Sequence, residues 1–248
     1  MVCVIPITKN RRALRTIGLR NSDFKVHIPK CEIICASYSQ ISLQRSDYGI
    51  MVRRQEEINM DLTQAIKGRR SIRKYKPDPV PEEALRTVME AVRWAPSWAN
   101  TQCCEVIVVK DPKVKSELAA CLSKGNPASS SLTDAPIVLV LCGIRGISGY
   151  YKGEPKTEKG DWLMFDTGLA MQNLCLAAHA LGLGTVVVGN FDHRKVAEVL
   201  GVPQTGEVVA LTPLGYSATE GSAPKRKDIS EFVYSDHYGK KGQEDRQA

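Results

Sequence analysis

Three guanidinium groups and a hydroxyl fall within five residues at Arg69-Arg70-Ser71-Ile72-Arg73. That set has enough N–H and O–H donors to surround a dianionic phosphate with charge-assisted forks. Each such bond contributes about 1.5–3 kcal/mol. A charge run also suits a solvated face, and taken alone the stretch favours that plainer reading. The sequence lacks a Gly-x-Gly-x-x-Gly after a strand, a Gly-x-x-x-x-Gly-Lys-Ser/Thr loop, a Gly-x-Ser-x-Gly elbow and a His-Glu-x-x-His pair, so the common dinucleotide, phosphate-loop, hydrolase and zincin chemistries have no footing. His27, His179, His193 and His237 are scattered without ligand-pair spacing, and no metal site is read. The eight cysteines show no Cys-x-x-Cys pair, and Cys142 and Cys175 lie inside apolar runs. That usage points to a reducing compartment, the cytoplasm.

These residues need a scaffold, and 248 residues with 43% hydrophobic and 25% charged side chains are enough for one domain or at most two. The longest apolar runs fall well short of the roughly 20 residues that span a bilayer. The formal charge of +7 is uneven: residues 1–59 hold ten Lys or Arg against five Asp or Glu. The rest has only short basic clusters, around 69–76 and 225–227, and no basic stripe interleaved with aromatics, so nucleic acid stands well behind a phosphate-bearing small molecule.

Residues 1–59 show no sustained periodicity and read as an N-terminal extension outside the functional domain, a presequence or a misplaced start. Met60 is the favoured beginning, because Asp61 can cap the helix that follows, with Gln64 at the capping-box position. Leu62, Ala65 and Ile66 mark a short helix ending near Gly68, and Leu85, Val88, Met89 and Val92 recur at helical spacing up to Ala95-Pro96. Val106-Ile107-Val108-Val109, 137–141 and Thr185-Val186-Val187-Val188 read as buried strands, and 208–214 supplies one more. Helices are expected through Leu118 to Leu122, over 161–181, and from the Asp192 cap to Leu200, with Gly182 and Gly184 stopping the longest. Ser129-Ser130-Ser131 is read as a polar connection. The alternation of helices and buried strands argues an α+β (α/β layered) sandwich over 60–238 with no internal repeat, and 239–248 reads as a flexible tail.

Four segments occur in a fixed order: the Arg-Arg-Ser-x-Arg stretch, Pro96-Ser97-Trp98-Ala99-Asn100-Thr101-Gln102, the helix from Asp166-Thr167-Gly168 to Ala180-Leu181-Gly182-Leu183-Gly184-Thr185, and Pro224-Lys225-Arg226-Lys227. Together, from about Met60 to about Tyr234, they resemble the FMN-dependent nitroreductase family. The resemblance implies a nitroreductase-like fold, a mixed central sheet flanked by helices, and an intertwined homodimer with FMN at the subunit interface. It implies that Arg69, Arg70, Ser71 and Arg73 contact the FMN ribityl and phosphate groups. Pro96, Ser97, Trp98 and Asn100 match the loop that reaches the flavin from the neighbouring subunit. Val187, Val188, Gly189 and Asn190 match the strand end along the flavin, where a small residue lets the backbone approach. Lys225 and Lys227 match a late basic pair on the phosphate, and Asn126 an amide at the pyrimidine edge. Each has a plainer reading as packing, a strand end or a solvated run. The family often has Pro and Trp after the loop's Gln; here Cys103 and Cys104 stand there, and packing is favoured over redox chemistry for them because nothing nearby lowers either pKa.

The implied activity is transfer of electrons from NADH or NADPH, via flavin N5, to an electron-poor small molecule such as a nitroaromatic or quinone, by a ping-pong mechanism. The cofactor carries that chemistry, and no catalytic side chain is named. Residues 143–162, with Tyr150 and Tyr151, lie where the family varies and read equally as a cover for the substrate or as a solvated loop. A flavin-binding protein that does not turn over and a basic nucleic-acid-binding module stay open as alternatives.

Overall fold

The apolar run 137–141 becomes part of the central strand Ile137–Ile144 (β4), buried at every position but the last. The computed structural model describes residues 60–241 and, ahead of them, the backbone of Leu43–Ser46 (β1) and Gly49–Val52 (β2). The chain divides into two units, Met1–Arg53 and Arg54–Ala248. In the first, β1 and β2 pair as an antiparallel hairpin that periodicity did not suggest. The rest of the extension read over 1–59, and 242–248 of the tail, lie outside the described residues.

In the second unit, α1 (Leu62–Gly68) and α2 (Glu82–Arg93) precede the strand β3 (Cys104–Val109). The helices α3 (Pro112–Ala120) and α4 (Ser129–Asp134) separate β3 from β4. A small hairpin of β5 (Tyr150–Tyr151) and β6 (Glu154–Pro155) leads to α5 (Leu163–Ala180), β7 (Leu183–Thr185), α6 (His193–Leu200), β8 (Gly206–Tyr216) and α7 (Ile229–Phe232). The main sheet runs β3-β4-β8-β7 with every pair antiparallel. A parallel bridge from Ser71 to Thr185 on the β7 edge makes it mixed.

The two-residue period of β4 divides the core. Ile137, Leu139 and Leu141 pack with Leu85 and Val88 of α2 and Leu174 and Ala178 of α5. Val138, Val140 and Cys142 face the other way, against Leu118, Leu132 and Val196. Helices therefore cover both faces, the layered α+β architecture expected from the alternation of elements.

Three expectations are corrected. First, β3 is an edge strand, paired only with β4, and most of it is not buried; Val108 is 39% exposed. Second, Ser129-Ser130-Ser131 opens α4, and Ser131 is fully buried with its hydroxyl donating to the Arg73 carbonyl at 2.9 Å. Third, the strand expected at 185–188 lies at Leu183–Thr185. The β7–β8 register carries on to Val188, which exchanges both backbone bonds with Leu211 at 2.8 and 3.0 Å. Antiparallel bond pairs recur every second residue, so the next pair would join Val186 to Pro213. Pro213 has no N–H to give, and the chain leaves the sheet there.

Candidate functional site

Gly68 is the last residue of α1, and a Cβ at this position would come 2.6 Å from His179 Nε2, so the close approach needs glycine. The chain then runs extended beside β7, where the Ile72 N–H donates to the Thr185 carbonyl at 2.9 Å. Ile72 points inward onto Gly184, whose own Cβ, if present, would lie 2.8 Å from that of Ile72. Extended backbone alternates its side chains, so Ser71 and Arg73 face outward and are exposed. Two further bonds hold the stretch: the Tyr75 hydroxyl donates to the Ile72 carbonyl at 2.7 Å, and Ser131 holds the carbonyl of Arg73. Burial keeps the Tyr75 phenol protonated by raising its pKa.

Arg73 lines a cavity of about 380 Å³ with Ser123, Lys124, Asn126 and residues 186–190. Arg73 thus meets four of its expected companions, Val187, Val188, Gly189 and Asn190, as well as Asn126. Val187, freed from the sheet by the Pro213 interruption, is 52% exposed. A Cβ built on Gly189 meets no atom within 4 Å, so the backbone there faces open space. Asn126 braces the wall: its Nδ2 donates to the Asn190 carbonyl at 3.1 Å and its Oδ1 accepts from the Ala128 N–H at 2.9 Å. The Ser123 hydroxyl donates to Asn190 Oδ1 at 2.8 Å. Ser123 and Lys124 were missed in the sequence, although the Gly125-Asn126-Pro127 turn beside them marks a loop where binding residues gather.

Arg69 and Arg70 line a second cleft, of about 470 Å³, with His179, Ser217, Thr219 and residues 182–185. The two clefts meet the chain at consecutive residues, Thr185 and Val186. The Arg70 guanidinium turns back to donate to the carbonyls of Lys67 and Arg69 at 2.6 and 2.8 Å. Burial and then the charges of Arg69 and Arg70 hold His179 below the usual imidazole range.

Pro96 and Ser97 line a third cavity, of about 290 Å³, with Arg93, Gln102, Cys104 and Asp166. The turn Trp98–Asn100 that follows is tight, with the Asn100 N–H on the Ser97 carbonyl at 3.0 Å and the Ser97 hydroxyl accepting from the Gln102 N–H at 2.9 Å. Trp98 packs on Trp162 with ring centroids 5.1 Å apart. None of Pro96, Ser97, Trp98 and Asn100 lines the Arg73 cavity, and Lys225 and Lys227 stand exposed outside all three linings.

Cys103 is fully buried, its thiol pushed up to about 11 by burial and by Asp166. Cys104 is pushed up to about 12, chiefly by burial. Both are protonated near neutral pH and unsuited to thiolate chemistry. Among the described residues no cluster of His, Cys, Asp and Glu could hold a metal ion, and no helix is long and apolar enough to cross a membrane.

The model of the nitroreductase family matches residues 66–216. The chain is 31% identical over 199 residues to a Thermus thermophilus protein named NADH dehydrogenase, an alignment covering 70% of this chain and 95% of that one. It is 30% identical over 177 residues to a Bacillus subtilis protein named FMN reductase (NAD(P)H), covering 67% of this chain and 70% of the other. Among solved structures, the FMN-dependent nitroreductase of Clostridium difficile is similar with a TM-score of 0.60 at 28% identity, covering 71% of this chain and 100% of that one. With more than half of its length matched, the chain belongs to the nitroreductase family.

Proposed function

We propose that this chain is an FMN-dependent reductase that draws electrons from NADH or NADPH and delivers them, in two separate half-reactions, to an electron-poor small molecule. The cavity shared by Arg73, Asn126 and residues 186–190 carries this reading. It fits a flat ring with one polar edge: the Val186, Val187 and Val188 wall is apolar, Arg73 and Lys124 bring cationic groups, and Gly189 leaves its backbone open to close approach. FMN, when bound, supplies the hydride-accepting chemistry that no side chain of the protein can provide.

The protein's own share is binding, orientation and electrostatics. Arg69, Arg70, Ser71 and Arg73, with Lys225 and Lys227, would hold the phosphate and ribityl groups, and Asn126 with Val187, Val188, Gly189 and Asn190 the ring. Arg73 and Lys124 offset negative charge that accumulates in the cleft, and the valine wall gives the ring an apolar face. The loop with Pro96, Ser97, Trp98 and Asn100 lies away from Arg73 within one chain, which supports its delivery by a second copy in a homodimer with two shared sites. The acceptor is read as a nitroaromatic, quinone or similar compound, and the compartment as the cytoplasm.

The test is to purify the full chain and add NADPH or NADH under nitrogen. The expected result is a yellow protein with a flavin spectrum that bleaches and is recoloured by a nitroaromatic or quinone. A yellow protein that stays oxidised with either donor indicates a carrier, and a colourless protein that gains nothing from added FMN overturns the reading.

A further inference from the structure

Asp166 is the only buried carboxylate among the described residues, 3% exposed near the start of α5. A carboxylate removed from water is costly unless donors replace its hydration. Here one oxygen receives three: Oδ2 accepts the Trp98 N–H at 3.0 Å, the Ser148 hydroxyl at 2.6 Å and the Cys103 thiol at 3.5 Å. No cation forms an ion pair with it among the described residues.

The three donors come from three different segments. Trp98 belongs to loop 97–102, in which Ala99, Asn100 and Gln102 adopt left-handed φ of 45, 57 and 51°. Non-glycine residues in that region persist only where the surroundings hold them. Ser148 is fully buried and begins the segment that contains the β5–β6 hairpin, and Cys103 leads into β3. Loop and segment also meet through side chains, since Trp98 packs on Trp162 and Trp162 packs edge-on to Phe165 at 5.5 Å. The Trp162 N–H donates to the Ser148 carbonyl at 3.1 Å, which closes the segment on itself beside the carboxylate.

We propose that Asp166 is a positioning residue for the reaction: by holding the Trp98 amide and the Ser148 hydroxyl on one oxygen, it joins the loop read as flavin-facing to the 143–162 segment, which we place over the acceptor, as one unit. This rests on the flavin-reductase reading. In this assignment Asp166 acts through the Trp98 backbone rather than by contact with flavin or acceptor. The protonated Cys103 thiol is the third donor to that oxygen. Loosening either side then alters how the other meets its ligand.

The experiment compares the full-length protein with Ser148→Ala, Asp166→Asn and Asp166→Ala. Three quantities are read: the near-ultraviolet circular dichroism of the Trp98–Trp162 pair, the dissociation constant for FMN added to stripped protein, and KM against kcat for a nitroaromatic acceptor. Asp166→Ala is expected to lose the tryptophan signal and about tenfold or more in FMN affinity, the scale of one charge-assisted bond. Asp166→Asn keeps an acceptor oxygen and falls between. Ser148→Ala raises the acceptor KM about threefold to tenfold with kcat within about twofold, a split that general destabilisation does not produce. Wild-type values of FMN affinity and acceptor KM in both Ser148→Ala and Asp166→Asn overturn the proposal, and these two variants decide the matter if Asp166→Ala does not fold. A wild-type protein that takes up no FMN defeats the flavin reading alone; retention or loss of the tryptophan signal then decides whether Asp166 holds the loop.

Discussion

Arg73 stands outward because Ile72 must stand inward, and this alternation is what separates it from the guanidinium groups just before it. Donor chemistry was legible at 69–73 from residue types alone. Its division between two clefts was not, because it depends on how 69–73 lies beside β7, where Ile72 packs on Gly184 and the Ile72 N–H meets the Thr185 carbonyl. Asp166 was legible only as the first residue of the helix motif; its three donors come from other segments. Arg73 is exposed and its guanidinium makes just a long 3.5 Å bond to the Ser71 carbonyl. Arg73→Ala is therefore expected to leave the stability of the flavin-free protein within about 0.5 kcal/mol. The flavin retained through gel filtration should nevertheless fall severalfold. Arg86→Ala, on an exposed face of α2 where Arg86 pairs with Glu83, should change neither. Equal flavin retention in the two variants would remove Arg73 from the site.

Among elements, the central strands β4 and β8 were read correctly from their apolar runs. Misreadings arose where an element's fate is set by its neighbour. Val186 and Val187 have every strand propensity, yet Pro213 on the partner strand denies them a bond and turns them into a cavity wall. Ser131 has a loop's composition and a core position because it holds the Arg73 carbonyl. The edge between 71–73 and β7 is equally exacting, since Gly184 leaves no room for a methyl group against Ile72. Gly184→Ala should destabilise the fold by about 1–3 kcal/mol, the usual cost of overpacking. Urea unfolding checks this. Flavin affinity should fall with it, because the displaced edge carries Ser71 and Arg73. A cycle with Ile72→Ala, which removes the Cγ1 and Cγ2 that a methyl group at 184 would meet, tests the cause: Gly184→Ala should cost less in that background, and an equal cost in both backgrounds would show that the contact with Ile72 is not responsible.

For the whole molecule, a single copy of the chain places Arg73 at one cavity and loop 96–100 at another, and it leaves large apolar side chains uncovered. Leu62, Ile66, Trp94, Met164 and Phe165 are 68, 54, 73, 57 and 57% exposed. Periodicity marked Leu62, Ala65 and Ile66 as a short helix, and of the three only Ala65 is buried in one chain. Burying such side chains contributes about 1.5–3 kcal/mol each, so a second copy that covers them and presents its loop to the Arg73 cavity would satisfy both needs together. Sedimentation at micromolar concentration should then give twice the 27.3 kDa mass of one chain. Leu62→Glu with Met164→Glu, at exposed positions of α1 and α5, should shift the protein to monomer. Because the loop that completes each site would come from the other copy, flavin should be lost in the same variant and regained in neither monomer alone. A monomeric variant that still holds one FMN per chain would show that the site is complete within one copy, and the loop's expected role would fall with it.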